Sequence, residues 1–160
     1  MAPNEKTVYF VEDDRNLIGQ ATPELLAAGY RVEEVDIQQA NNVGYWRNLG
    51  VTERDVVALD LNLKEAGVKY SGREVFRTLQ RAKSQQTGDF PLERVLIQTS
   101  IRGEANSKSV NPEFALANEF AVGGYEKAVS AGGVVNTQAY ASGLVEAVDR
   151  LYKEENLLNV

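Results

Sequence analysis

Apolar residues in this chain fall alternately into short unbroken runs and helix-spaced stripes. Thr7 to Val11 (TVYFV) is β-branched and aromatic and predicts a first strand. The acidic turn Glu12-Asp13-Asp14 follows, and then Leu17, Ala21, Leu25 and Ala28 recur at helical spacing until Gly29. Pro23 falls inside that helix with Thr22 before it, which predicts either a kink or a restart capped by Thr22. Arg31 to Asp36 predicts a second, shorter strand nearer an edge. Ile37 to Leu49 predicts a poorly patterned helix that carries Tyr45 and Trp46 as packing residues and stops at Gly50.

The most apolar run comes next, in Asp55 to Leu61. Val56 to Leu59 has no polar interruption, the signature of a strand buried on both faces. A polar loop over Asn62 to Ser71 leads to a helix over Gly72 to Lys83, with Val75, Phe76 and Leu79 on one face. Ser84 to Pro91 reads as a surface connection. Arg94 to Gln98 (RVLIQ) is a fourth strand that delivers Thr99 and Ser100 to its carboxyl end. The polar segment Ile101 to Val110 suits a mobile loop. Asn111-Pro112-Glu113 then starts a helix that ends near Val122, with a capping side chain, a first-turn proline and a first-turn acid. A fifth strand is expected within Gly123 to Val129, with Lys127 near its end. Asn136 or Thr137 caps a last helix whose stripe is Ala141, Leu144, Val145, Val148 and Leu151.

Strand and helix repeated five times call for an α/β fold: a doubly wound five-stranded parallel sheet with right-handed crossovers, helices on both faces, and a three-layer sandwich. The flavodoxin-like strand order 2-1-3-4-5 puts the ligand crevice outside the carboxyl ends of the first and third strands. Those strands are followed by Glu12 and Asp13 and by Asp60. A single strand-end aspartate is more often a cap than a reagent, since position in a fold does not make function. An ordered set at consecutive strand ends is harder to assign to chance.

Composition narrows the chemistry. The 160 residues suit one domain over 1–160 with a single substantial core. Cysteine and histidine are both absent, which excludes disulfides, thiolate chemistry, a Ser-His-Asp triad, a His-based zinc site and a phosphohistidine on this chain. A net charge of -6 without a Lys/Arg cluster argues against nucleic acid. Met1 to Lys6 is polar and Val8 to Val11 is too short for a signal peptide or a membrane span, so a cytoplasmic protein away from membranes is expected. Carboxylate, hydroxyl and lysine chemistry remains. Two carboxylates about 5 Å apart repel by roughly 3 kcal/mol at an effective dielectric of 20, so an acidic cluster calls for a cation, and Mg2+ prefers such hard oxygen ligands.

The motifs VEDD (Val11 to Asp14), VVALDLNL (Val56 to Leu63), VLIQTS (Val95 to Ser100) and GYEK (Gly124 to Lys127) together resemble a response-regulator receiver domain of the CheY-like, two-component type over nearly the whole chain. The resemblance implies a stand-alone phosphorelay switch rather than an enzyme, with no separate effector domain. It implies Asp60 as phosphoacceptor, taking a phosphoryl group from a phosphohistidine on a histidine kinase or phosphotransfer protein. Glu12, Asp13 and Asp60 would hold Mg2+, with Asn62 adding its backbone carbonyl. Thr99 and Lys127 would contact the phosphoryl oxygens, and Asp14 would serve as a helix cap. Tyr125 is the candidate switch aromatic, coupling the site to the surface of the fourth helix, fifth strand and fifth helix that meets a downstream protein target.

Several features depart from the family pattern. Tyr125 stands two residues before Lys127 instead of three, Ala128 replaces the usual proline, and the Asn62 to Ser71 loop is longer and carries Lys64 and Lys69. They keep two other readings open. One is a pseudo-receiver that binds or scaffolds without phosphorylation. The other is a Mg2+-dependent phosphohydrolase with Asp60 as nucleophile, against which stands Asn62 where a second acid is expected. The apolar Leu157, Leu158 and Val160 fit packing on the body or on a second subunit of a homodimer.

Overall fold

A computed structural model describes residues 6–60, 63, 67–84, 94–99, 121–126 and 137–158, with only the backbone described at 84, 97–99, 121–126, 137 and 154–158. Its strands are β1 (Lys6–Val11), β2 (Tyr30–Glu34), β3 (Val56–Asp60), β4 (Arg94–Thr99) and β5 (Ala121–Glu126). They form one parallel sheet in the order β2-β1-β3-β4-β5. The described helices are α1 (Arg15–Ala27), α2 (Val43–Asn48), α3 (Gly72–Ser84) and a long last helix, α4 (Thr137–Leu158).

The period-2 alternation of each inner strand explains the layers. Tyr9 and Val11 of β1, Val57 and Leu59 of β3 and Val95 of β4 pack on one face with Trp46, Val75, Phe76 and Leu79. Val8, Phe10, Val56, Ala58 and Leu96 pack on the other with Leu17, Ala21 and Leu25 of α1 and Tyr140, Leu144, Val148 and Leu151 of α4. The predicted α4 stripe is therefore the buried one, except that Val145 is only half-buried.

The open question at Pro23 is decided in favour of continuity. α1 runs through Pro23, and the Thr22 hydroxyl donates to the Ile18 carbonyl at 2.7 Å instead of capping a new helix. Such back-bonding accommodates a β-branched hydroxyl in mid-helix. α1 ends at Ala27 with Ala28 as its cap, and Gly29 beyond it takes a left-handed φ of 97°.

The expected helix over Ile37 to Leu49 is not one element. A 3-10 turn covers Ile37–Gln39, capped by Asp36, and α2 starts afresh behind Asn42, whose Oδ1 accepts from Gly44 N at 2.8 Å. The cause of the break is buried: Trp46, 0% exposed, donates Nε1–H to the Ala40 carbonyl at 2.6 Å. That bond draws the interruption into the core.

Other boundaries shift as well. β5 begins at Ala121, so Ala121 and Val122 are strand where the end of a helix was predicted; the remaining span of that prediction, 111–120, lies outside the described residues. Pairing decides this boundary, because Ala121 and Val122 lie opposite Arg94 and Val95, while Gly123 and Gly124 face Leu96 and Ile97. The loop at 101–110 and Asn136 also lie outside the described residues.

The amino-terminal edge of the sheet is held by a polar and aromatic cluster. Tyr152 stacks on Tyr30 at 5.9 Å, and Lys6 Nζ and Arg94 Cζ lie 4.0 Å and 4.5 Å from its ring centroid. The Tyr152 hydroxyl donates to the Arg54 carbonyl and the Tyr30 hydroxyl to Asp149. Burial raises the pKa of Tyr30 and Tyr152, and burial with nearby Asp55 and Glu33 raises Tyr9 to about 12. A folded-state pKa above the unfolded value means that the contribution is complete below pH ~10 and is lost as pH rises through the folded value. Stability is therefore expected to fall between pH ~10 and ~12, with tyrosine absorbance at alkaline pH changing together with loss of circular dichroism. Titration of all seven tyrosines near pH ~10 with the fold intact would refute this.

Candidate functional site

The acidic site is built by register. Val11 pairs with Leu59 and Phe10 with Ala58, so the next residues, Glu12 and Asp60, leave neighbouring strands at the same level. Both are withdrawn from water, at 4% and 3% exposure. Asp13 is half-buried on the turn that follows. One carboxylate oxygen from each of Glu12, Asp13 and Asp60 lies within 4.8 Å of the others.

The turn is shaped by Asp14. Its carboxylate accepts from Asn16 N at 2.9 Å and Leu17 N at 3.4 Å, which makes it the N-cap of α1. Its backbone N–H donates to Glu12 Oε1 at 3.1 Å. The positive end of α1 thus lies beside the acids, where negative charge is favoured. This residue does what the sequence expects of it.

Carboxylates held this close resist further approach unless a cation joins them. Three hard oxygen donors on a sheet edge match the preference of Mg2+, which takes few protein ligands and keeps waters. The donor set fits that ion.

The remaining expected site residues are placed unevenly. Asp60 pairs with Gln98, so Thr99 follows one position further on at the end of β4; its side chain is not described. Tyr125 lies in β5 opposite Gln98, again as backbone only. Lys127 and Asn62 lie outside the described residues, each just beyond a strand end or its flank.

Comparison with known proteins finds no matching family profile and no matching curated protein sequence. Solved structures do match. A receiver domain (CheY-like) from Methylobacillus flagellatus superposes with a TM-score of 0.55 at 14% identity, covering 92% of this chain and 98% of that one. The response regulator domain of Thermotoga maritima CheB gives a TM-score of 0.60 at 13% identity, covering 95% and 96%. The signal receiver domain of a LuxO repressor-type protein from Vibrio parahaemolyticus gives 0.55 at 14%, covering 96% of each. This chain has the CheY-like receiver fold.

In this receiver fold the acidic cluster sits where the first and third strands end, at the topological switch point of the sheet. No described helix is long and apolar enough to cross a membrane.

Two features escaped the sequence reading. Asp55, at the opposite end of β3, is also 3% exposed, and its carboxylate accepts from Thr7 N, Thr52 N and the Thr52 hydroxyl at 3.0, 2.7 and 3.1 Å. Nothing in the string DVVALD distinguishes this structural acid from Asp60 except which end of the strand it occupies. The second feature is a cleft beside the cluster, formed in part by Arg15 and Glu34, which are paired at 3.0 Å. Long-range pairs of exposed residues leave no periodic signal.

Proposed function

We propose that this chain is a phosphorylatable receiver, in which Asp60 takes a phosphoryl group from a phosphohistidine on a partner histidine kinase or phosphotransfer protein. The resulting charge switches a surface that contacts a downstream protein target. The observation that supports it most is the convergence of Glu12, Asp13 and Asp60 within 4.8 Å at the carboxyl edge of a receiver fold.

In the proposed reaction an Asp60 carboxylate oxygen attacks phosphorus in line with the bond to the donor imidazole nitrogen. The P–N bond breaks as the P–O bond forms, and the imidazole leaves with a proton from solvent. Glu12, Asp13, Asp60 and the Asn62 carbonyl would hold Mg2+, whose charge offsets that of the transferred oxygens. Asp14, through its cap and its N–H to Glu12, keeps the acidic turn in place for this. Thr99 and Lys127 are proposed to bind the phosphoryl oxygens after transfer, and Tyr125 to follow Thr99 inward. The role is that of a cytoplasmic switch and not of a turnover enzyme.

Incubation with acetyl phosphate and Mg2+ should give one phosphoryl adduct by intact mass on wild type and none on Asp60→Asn. An unlabelled wild type would favour a pseudo-receiver. Turnover of small phosphate esters would favour a phosphohydrolase.

A further inference from the structure

A cleft of about 280 Å³ opens beside the acidic cluster, between the ends of β1 and β2. Its floor is apolar: Ile18 and Val35 are each 6% exposed, and Ile37 is half-buried. The exposed Glu34 and Asp36 also line it, as do Glu12 and Asp13 of the cluster. The cleft therefore has a greasy floor and a strongly negative wall.

That combination matches one kind of side chain. Arginine and lysine lay an apolar stem along hydrophobic surface and keep a charged head at the water boundary. The planar guanidinium is the better match to carboxylates, since it donates in a fixed fork. The volume lies at the small end of ligand pockets, which suits one side chain rather than a whole small molecule.

A guanidinium of the chain already pairs with one of these acids, with its stem left in solvent. Arg15 Nη1 lies 3.0 Å from Glu34 Oε1, yet the Arg15 side chain is 78% exposed. An exposed pair of this kind is weak and exchanges readily. Asp36 is a poorer candidate for exchange, because its carboxylate accepts from Gln38 N at 3.0 Å and Gln39 Nε2 at 2.9 Å.

We infer that the cleft is a subsite for an arginine side chain of the protein that docks over Asp60, and that Arg15 holds its place on Glu34 until that arginine displaces it. The inference builds on the receiver reading, because it needs a partner approaching the phosphoacceptor edge. A donor protein must bring a phosphoryl group towards a negative cluster, and an arginine seated next to that cluster offsets the repulsion.

The test is an amide NMR titration of the full chain with N-acetyl-arginine amide, and with the uncharged citrulline analogue as control. The arginine probe should shift Ile18, Val35 and Ile37 saturably, and the citrulline probe should not. Glu34→Gln should weaken binding, and Arg15→Ala should tighten it by roughly threefold, the size of an exposed ion pair. Both substitutions are at exposed positions, and unchanged Val148 and Leu151 resonances would verify the fold. Equal shifts with both probes, no saturable shift, or an unaltered affinity in Arg15→Ala would overturn the inference. The acetyl phosphate adduct is scored separately. An adduct without arginine binding removes the cleft alone, whereas arginine binding without an adduct removes the receiver reading and leaves the cleft.

Discussion

Asp60→Asn should melt at a higher temperature than wild type in the absence of divalent cations and should lack the stabilisation by Mg2+ that is expected of wild type. The reason is the spacing within the cluster, where oxygens of Glu12, Asp13 and Asp60 lie within 4.8 Å of one another. At that range and an effective dielectric of 20, each pair of charges repels by about 3 kcal/mol. Solvent at the half-buried Asp13 and the α1 N-terminus beside Glu12 offset part of this. Removing one charge should leave a net gain of about 1 to 3 kcal/mol, or roughly 3 to 10 °C for a chain of this size. Mg2+ at a hundredfold excess over its dissociation constant should stabilise wild type by about 2.7 kcal/mol and the variant by far less. Glu12→Gln should gain less than Asp60→Asn, because it also weakens the acceptor for Asp14 N–H. Calorimetric melts with and without Mg2+ measure all of this. A destabilised Asp60→Asn with its Mg2+ response intact would sink the account of the site.

The opposite outcome is expected five positions earlier, at the residue just before β3. Asp55→Ala removes the acceptor of two backbone amides and a hydroxyl in a buried setting, at Thr7 and Thr52. Hydrogen bonds to a charged group contribute about 1.5 to 3 kcal/mol each, and the orphaned amides add a desolvation cost. A loss of roughly 3 to 5 kcal/mol is expected, enough to lower the urea midpoint severely. Asp55→Asn should recover part of it through the remaining carbonyl oxygen, and should retain the Mg2+ response. An Asp55→Ala variant as stable as wild type would show that these bonds carry no net weight. The pair of experiments separates two acids with the same 3% exposure, one anchoring the start of β1 and the other ending in the cluster.

Part of this fold is local to the sequence and part is not. The alternation of strands and helices was legible because buried strands and amphipathic helices differ in pattern, as Val56 to Leu59 and the α4 stripe show, and the strand order followed from the flavodoxin-like arrangement that such an alternation suggests. Asp14 was legible as a cap because capping is local. The split of Ile37 to Leu49 was not, since the bond from Trp46 to Ala40 depends on the indole being driven into the core. The start of β5 was obscured by its glycines, whose place in the sheet is set by pairing with β4.

What the sequence determined on its own was the alternation of elements, the acids at the ends of two buried strands, and a chemistry restricted by the absence of histidine and cysteine. Local propensity and periodicity suffice for those, because each is a property of residues a few positions apart. What only the tertiary structure decided was the register that levels Glu12 with Asp60, the structural task of Asp55, and the cleft where Arg15 meets Glu34. Each depends on segments far apart in the chain being brought together, and that is settled by packing of the sheet and helices as a whole.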